Sequence, residues 1–200
     1  MARMSLNQEQ AYNIFNTEKR VKFGIRCTDA EIIQNPYILY EQTRRCTAEC
    51  YIPVKKVDMA VFPPDEINTV SPVPAPTALD SENDKRRIRA YLVSQLELQA
   101  LWGHTVYPVA NLISEINALP IYPACRVTGD IINSIHDFLL DEVELVKCKN
   151  GDKAYQLKRI FEFDEIIRDS VNKRLNGKRH EIKEDWRAII DGAFKGQVET

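Results

Sequence analysis

The sequence predicts a mainly α-helical protein with one small β-hairpin. Apolar residues recur every three or four positions through much of the chain, as at Ile88, Leu92 and Leu96, which is typical of amphipathic helices. The clearest hairpin signal is Asn150-Gly151, because Asn-Gly favours the tight turn between two antiparallel strands. A content of 44% hydrophobic and 28% charged residues is that of a folded globular domain.

Residues 1–61 predict a helical module that resembles a helix-hairpin-helix. Ser5 and Gln8 have the spacing of a capping box, which would begin the first helix. Thr28 and Glu31 repeat that spacing, and Asn35-Pro36 predicts a further start, with Asn as cap and Pro in the first turn. A last short helix is expected over residues 54–61.

Residues 62–80 are predicted to be an extended connector between two modules. Five prolines lie at positions 63, 64, 72, 74 and 76, and proline disfavours both helix interiors and central strands. The composition therefore places the main internal boundary in this stretch.

Residues 81–158 predict the order of a winged helix. A long helix runs from about Asp84 to Trp102, where Gly103 stops it, and a short strand is expected over residues 105–107. Two helices follow, over residues 109–119 and 131–139, and strands near 144–148 and 154–158 form the hairpin. In residues 159–200, apolar periodicity predicts two closing helices, Ile160–Val171, ended by Asn176-Gly177, and Ile182–Phe194.

The charge distribution limits any nucleic-acid surface. The net charge is only −2, and residues 127–146 carry five acids and no Lys or Arg. Phosphate contact depends on positive side chains, and base edges in the major groove are read by donors such as Arg. The third helix of the winged-helix order is therefore expected to pack against its neighbours rather than to read a DNA sequence.

Three basic clusters remain as candidate DNA contacts. Lys85, Arg86 and Arg89 share one helix flank, which would suit either a phosphate track or a solvated face partly paired with Glu82 and Asp84. The two ends of the predicted helical hairpin are flanked by Arg44, Arg45, Lys55 and Lys56. The tip of the wing carries Lys149, with Lys147 and Lys153 beside it.

No set of residues predicts a catalytic or metal centre. The chain has only seven glycines and no Gly-rich phosphate loop, and His104 has no identifiable nucleophile or carboxylate partner. Cys46 and Cys50 are spaced for one helix face, but two further clustered zinc ligands are missing, so buried reduced thiols are expected. Five cysteines and no long apolar run favour a cytoplasmic protein without a membrane partner.

Four segments of the chain resemble RecD-type superfamily 1 DNA helicases, the relatives of the exodeoxyribonuclease V alpha subunit. They are Asn35–Tyr37, Lys55–Asp58, Asp84–Ala90 and Gly103–Pro108. In that family the corresponding region lies ahead of the motor and consists of helix-hairpin-helix and winged-helix-like modules. The family's hairpin carries glycines whose amides face a phosphate, whereas the matching positions here are Tyr51 and Pro53, which leaves any contact to Lys55 and Lys56.

The resemblance implies a non-catalytic role in positioning DNA. The expected partners are single-stranded or forked DNA, bound without sequence specificity, and a helicase motor domain in cis. ATP and Mg²⁺ would belong to that motor, so no cofactor is expected in these 200 residues. The alternative is an interaction module of the same fold that braces the motor or a partner protein and does not bind DNA.

Overall fold

The computed structural model describes residues 2–177 and 184–195. These residues form a mainly helical structure with one three-stranded antiparallel sheet, which confirms the predicted fold class at that level. The chain divides into two compact units, one ending at Glu162 and the other beginning at Phe163.

Six helices precede the long central helix. They are α1 (Gln8–Phe15), α2 (Thr17–Lys22), α3 (Asp29–Gln34), α4 (Ile38–Thr43), α5 (Val54–Val61) and α6 (Asp65–Val70), after a 3-10 turn over Ala2–Met4. The helix predicted over residues 54–61 is confirmed as α5.

The first helix does not begin where the sequence predicted. Its cap is Asn7, whose side-chain oxygen accepts from the Gln10 amide at 2.7 Å, while the Gln10 side chain accepts from the Asn7 amide at 3.2 Å. Ser5 has a φ of 47°, outside the extended geometry of an N-cap, so the cap predicted there is wrong. The capping box of Thr28 and Glu31 is confirmed at the start of α3.

The prediction that residues 62–80 lack regular structure is wrong over α6. This helix occupies the interval between Pro64 and Pro72, which contains no proline. Pro64 lies immediately before the first helical residue, where its missing N–H removes no intrahelical hydrogen bond. Proline content therefore limited the length of the helix without preventing it.

The second half of the first unit surrounds a small sheet. Its elements are α7 (Lys85–Leu101), β1 (Tyr107–Pro108), α8 (Val109–Asn117), α9 (Gly129–Ser134), α10 (His136–Leu139), β2 (Val143–Lys147) and β3 (Lys153–Leu157). The strand order is β1-β3-β2, and both pairings are antiparallel. The third predicted helix is divided at Ile135, whose φ of −103° and ψ of 11° interrupt it.

The predicted hairpin is confirmed to within one residue at each strand. Its register places Leu145 opposite Tyr155 and Lys147 opposite Lys153. Gly151 has a φ of 91°, a conformation that favours glycine, so the Asn-Gly signal has a direct physical basis in the turn.

Two helices close the described chain. They are α11 (Lys158–Asn176) and α12 (Trp186–Lys195). Ile160, at the start of α11, packs on the core of the first unit. In the second unit the apolar side chains of α11 and α12 are exposed, among them Phe163, Ile167, Val171, Trp186 and Phe194. Ile182, predicted to lie on the last helix, falls outside the described residues.

The core of the first unit contains a buried ion pair between α5 and α7. The guanidinium of Arg87 is fully buried and donates to both carboxylate oxygens of Asp58 at 2.8 Å. The Tyr37 hydroxyl donates to the same carboxylate at 2.6 Å. Burial and the Asp58 carboxylate both raise the pKa of Tyr37, so its hydroxyl keeps its proton and remains a donor.

Candidate nucleic-acid interface

Arg44 lies at the end of α4 and joins three parts of the fold. Its Nε donates to Glu97 on α7 at 3.0 Å, and its Nη2 donates to Glu142 just before β2 at 2.8 Å. Glu97 also accepts from Arg159 at 2.5 Å. The Arg44 side chain is 13% exposed, so its charge is directed at these carboxylates rather than at solvent.

Arg89, on α7, is held even more completely. It donates to both carboxylate oxygens of Glu41 on α4, at 2.8 and 2.9 Å, and to Asp141 at 3.0 Å. Its guanidinium carbon lies 3.9 Å from the centroid of the Phe138 ring. With a side chain only 6% exposed, Arg89 offers no free donor to a phosphate in this conformation.

Arg86 is anchored by Asp84, the cap of α7. The Asp84 carboxylate accepts from the Arg86 side chain at 2.8 and 3.0 Å and from its amide at 2.8 Å. The remaining guanidinium donors reach backbone carbonyls, among them Gln34 at 2.6 Å. Of the two alternatives for the basic run Lys85–Arg89, the pairing with Asp84 is therefore the one that Arg86 adopts, as part of the cap of α7.

We expect Asp84→Asn to lower the free energy of unfolding at pH 7 by about 1.5 kcal/mol, because it removes a charged acceptor and keeps a good cap. Burial opposes the ionised form of Asp84, but the hydrogen bonds from Arg86 outweigh it and hold the pKa below the usual 3.8. Because the pKa of Asp84 is lower in the folded state than in the unfolded state, this stability is fully present above the usual pKa of 3.8. It is lost as the pH falls through the lower, folded-state pKa. Urea unfolding of the unmodified chain and of Asp84→Asn from pH 7 to pH 2 measures this contribution. A difference in stability that is the same at pH 2 as at pH 7 would contradict an ionised Asp84 as its source.

The other predicted cations remain at the surface. Arg45, Lys55, Lys85 and Lys149 are exposed and form no ion pair among the described residues. The Lys85 ammonium lies 4.9 Å from the Phe138 ring centroid, and Lys56 donates to the Ser5 carbonyl at 3.0 Å. The structure thus separates the predicted residues into three internally bound arginines and five surface cations.

The last four residues of the connection between α4 and α5, residues 50–53, leave no backbone amide free. The amides of Cys50 and Tyr51 donate to the Thr47 carbonyl at 3.0 and 2.9 Å, and the Ile52 amide donates to the Thr43 hydroxyl at 3.0 Å. Pro53 has no N–H. No backbone amide in residues 50–53 is therefore left for a phosphate, and a DNA contact beside these residues would depend on side chains such as Lys55.

The β2–β3 hairpin concentrates positive charge at its tip. Lys147 and Lys153 are directly opposite each other in the register, and Lys149 lies in the turn between them. Like charges in a cross-strand pair are destabilising unless an anion lies nearby. The single carboxylate of the turn, Asp152, accepts from the Asn150 amide group at 2.6 Å. The three lysines of this tip are the ones that the sequence predicts there, and the Asn-Gly turn accounts for the register that places Lys147 opposite Lys153.

Side chains that bind metals or act in catalysis are dispersed. Within residues 2–177 and 184–195, no group of three or more His, Cys, Asp or Glu is placed to hold a metal ion. Cys27, Cys50 and Cys125 are buried free thiols, and burial raises the pKa of Cys50 to about 12, so it remains protonated at neutral pH. His104 is exposed, and its ring centroid lies 5.8 Å from that of Tyr107.

The helices that the structure describes include none with the length and apolar character needed to cross a membrane. No family model, curated protein or solved structure matches this chain.

Proposed function

We propose that this chain is a non-catalytic DNA-positioning region of a RecD-like ATP-dependent DNA helicase, binding single-stranded or forked DNA without sequence specificity. The four segments that resemble the family support the assignment. The element order from α7 to β3, with strand order β1-β3-β2, supports a winged-helix-like module over residues 81–158. ATP and Mg²⁺ would act in a motor domain outside these 200 residues.

The observation that carries the proposal is the lysine cluster of the hairpin, Lys147, Lys149 and Lys153. These three side chains are exposed, and none forms an ion pair with any residue that the structure describes. Such a cluster provides the electrostatic contact that sequence-independent binding to a phosphate backbone requires.

The helical module supplies a weaker contact. The succession of α4, a connection and α5 supports the helix-hairpin-helix-like assignment of residues 1–61. Because the amides of residues 50–52 are used internally, we expect the contact of this module to depend mainly on the side-chain charge of Arg45, Lys55 and Lys56. The proposed DNA contact therefore depends more on the β2–β3 wing than on the helical hairpin between α4 and α5.

A second candidate function is a bracing module that packs on the motor or on a partner protein. It is favoured by the exposed apolar side chains of α11, among them Phe163, Ile167 and Val171, whose spacing of four residues places them along one side of the helix, as is typical of helices that pack on a partner. The internal pairing of Arg44, Arg86 and Arg89 also favours it, because those arginines are withdrawn from any phosphate.

We expect the chain to bind labelled single-stranded and forked DNA with a dissociation constant of about 1–100 µM at physiological salt, and more tightly at low salt. Replacing Lys147, Lys149 and Lys153 by Gln removes three phosphate contacts. The slope of log affinity against log salt should then become shallower by about 2. Fluorescence anisotropy at several salt concentrations measures both quantities.

The matched comparison is Lys55→Gln/Lys56→Gln, which removes two charges from the helical module. A change in slope well below the value of about 1.4 expected for two lost phosphate contacts would support the wing as the main contact. Absence of binding at low salt, or an unchanged slope in the triple variant, would overturn the proposal and leave the bracing module as the better account.

A further inference from the structure

A cavity of about 320 Å³ lies between the first turn of α8, the α9–α10 segment and the hairpin. Its size is within the range of small-ligand sites, which combine apolar walls with a few convergent polar groups. The apolar wall is formed by Val109, Ile132 and Leu145, and the polar groups belong to Asn133, His136 and Lys153.

A buried tyrosine holds the imidazole of His136 at the cavity wall. The Tyr155 hydroxyl lies 3.3 Å from His136 Nδ1, and the two rings are inclined by only 28°. Tyr155 is a residue of β3 and is only 1% exposed, so the packing around its ring fixes the position of its hydroxyl. A ring positioned in this way presents both an aromatic surface and a hydrogen-bonding nitrogen to a ligand.

The strand register places positive charge beside the same cavity. Lys153 lines it, and Lys147 is its cross-strand partner on the same face of the sheet. Side chains alternate between the two faces, so Glu144 lies on the opposite face from Leu145 and Lys147. The cavity therefore has an apolar interior and a cationic rim.

The acids of residues 127–146 do not oppose an anion here. Asp141 pairs with Arg89, and Glu142 pairs with Arg44. None of the five acids in this stretch lines the cavity. Two of the five acids are thus neutralised by arginines, and none of the five belongs to the cavity lining.

We propose that this cavity binds one unpaired nucleotide, with its base between Ile132, Leu145 and His136 and its phosphate on Lys153 and Lys147. A nucleobase combines a flat apolar face with a polar edge, which matches the apolar wall and the polar groups of Asn133 and His136. If the nucleotide is part of single-stranded DNA, this inference rests on the proposed function. A free mononucleotide would use the same contacts and would not require the chain to bind DNA.

The first test uses single-stranded DNA that contains 2-aminopurine, whose emission rises when the base leaves the stack of its neighbours. We expect emission to rise on binding to the full chain. Asn133→Trp should abolish that rise and weaken binding by about fivefold or more, the effect of losing one stacked base. Asn133 is exposed on α9, so the larger side chain can fill the cavity without disturbing the core.

Ser134→Trp is the matched control, because Ser134 is exposed on the same helix and does not line the cavity. This variant should behave as the unmodified chain does. DNA binding without a rise in emission, or a rise that survives Asn133→Trp, would overturn the pocket and leave DNA positioning intact.

If the chain binds no DNA at low salt, deoxyadenosine monophosphate is titrated at millimolar concentration and followed by amide chemical shifts. Shifts confined to α9 and the hairpin, and absent in Asn133→Trp, would support a site for a free nucleotide while DNA positioning fails. No shifts would overturn the pocket as well.

Discussion

Replacing Arg87 by Met is expected to lower the free energy of unfolding by about 3–5 kcal/mol, because it breaks a buried ion pair. The change leaves the Asp58 carboxylate, whose side chain is 4% exposed, without its cationic partner. It also removes the donors to the carbonyls of Glu82 and Pro123, at 2.9 and 2.7 Å. Urea unfolding followed by circular dichroism measures the loss.

A double-mutant cycle separates the ion pair from the packing of the arginine. Arg87→Met/Asp58→Leu should be more stable than the sum of the two single losses implies, because no unpaired charge remains in the core. Arg126→Met is the control, since Arg126 is exposed and should change stability by no more than about 0.5 kcal/mol. A loss below about 1 kcal/mol in Arg87→Met would contradict a buried, uncompensated carboxylate.

The elements that were predicted correctly are those whose signals are local. Thr28 and Glu31 cap α3 from three residues apart, and the Asn150-Gly151 turn specifies the hairpin through the conformation of Gly151. The cap at Asn7 was missed because both Ser5–Gln8 and Asn7–Gln10 have the capping-box spacing. Only the backbone conformation, with Ser5 at a φ of 47°, distinguishes them.

The candidate interface was less predictable because its arginines have distant partners. Arg89 pairs with a residue 48 positions away, and Arg44 with one 98 positions away. A sequence shows that Lys85, Arg86 and Arg89 share a helix flank, but it does not show which acids the tertiary fold places against them. For the same reason the cavity beside the hairpin, formed by residues of α8, α9, α10, β2 and β3, had no local signal.

The placement of Arg89 leads to an expected separation between stability and DNA binding. Arg89→Met should lower the free energy of unfolding by about 3–5 kcal/mol, because Glu41, whose side chain is 1% exposed, loses its bidentate partner. Under conditions where the variant remains folded, its affinity for single-stranded DNA should equal that of the unmodified chain. Urea unfolding and anisotropy on the same samples test both statements.

Two further variants distinguish a structural arginine from a DNA contact. Glu41→Gln removes the carboxylate and leaves Arg89 in place, so it should also destabilise the fold without weakening DNA binding. Lys149→Ala should do the reverse, with stability changed by no more than about 0.5 kcal/mol and the salt slope shallower by about 0.7. If Arg89→Met weakens DNA binding while Glu41→Gln does not, Arg89 must leave its ion pair to reach the phosphate. The β2–β3 hairpin would then share the proposed DNA surface with α7.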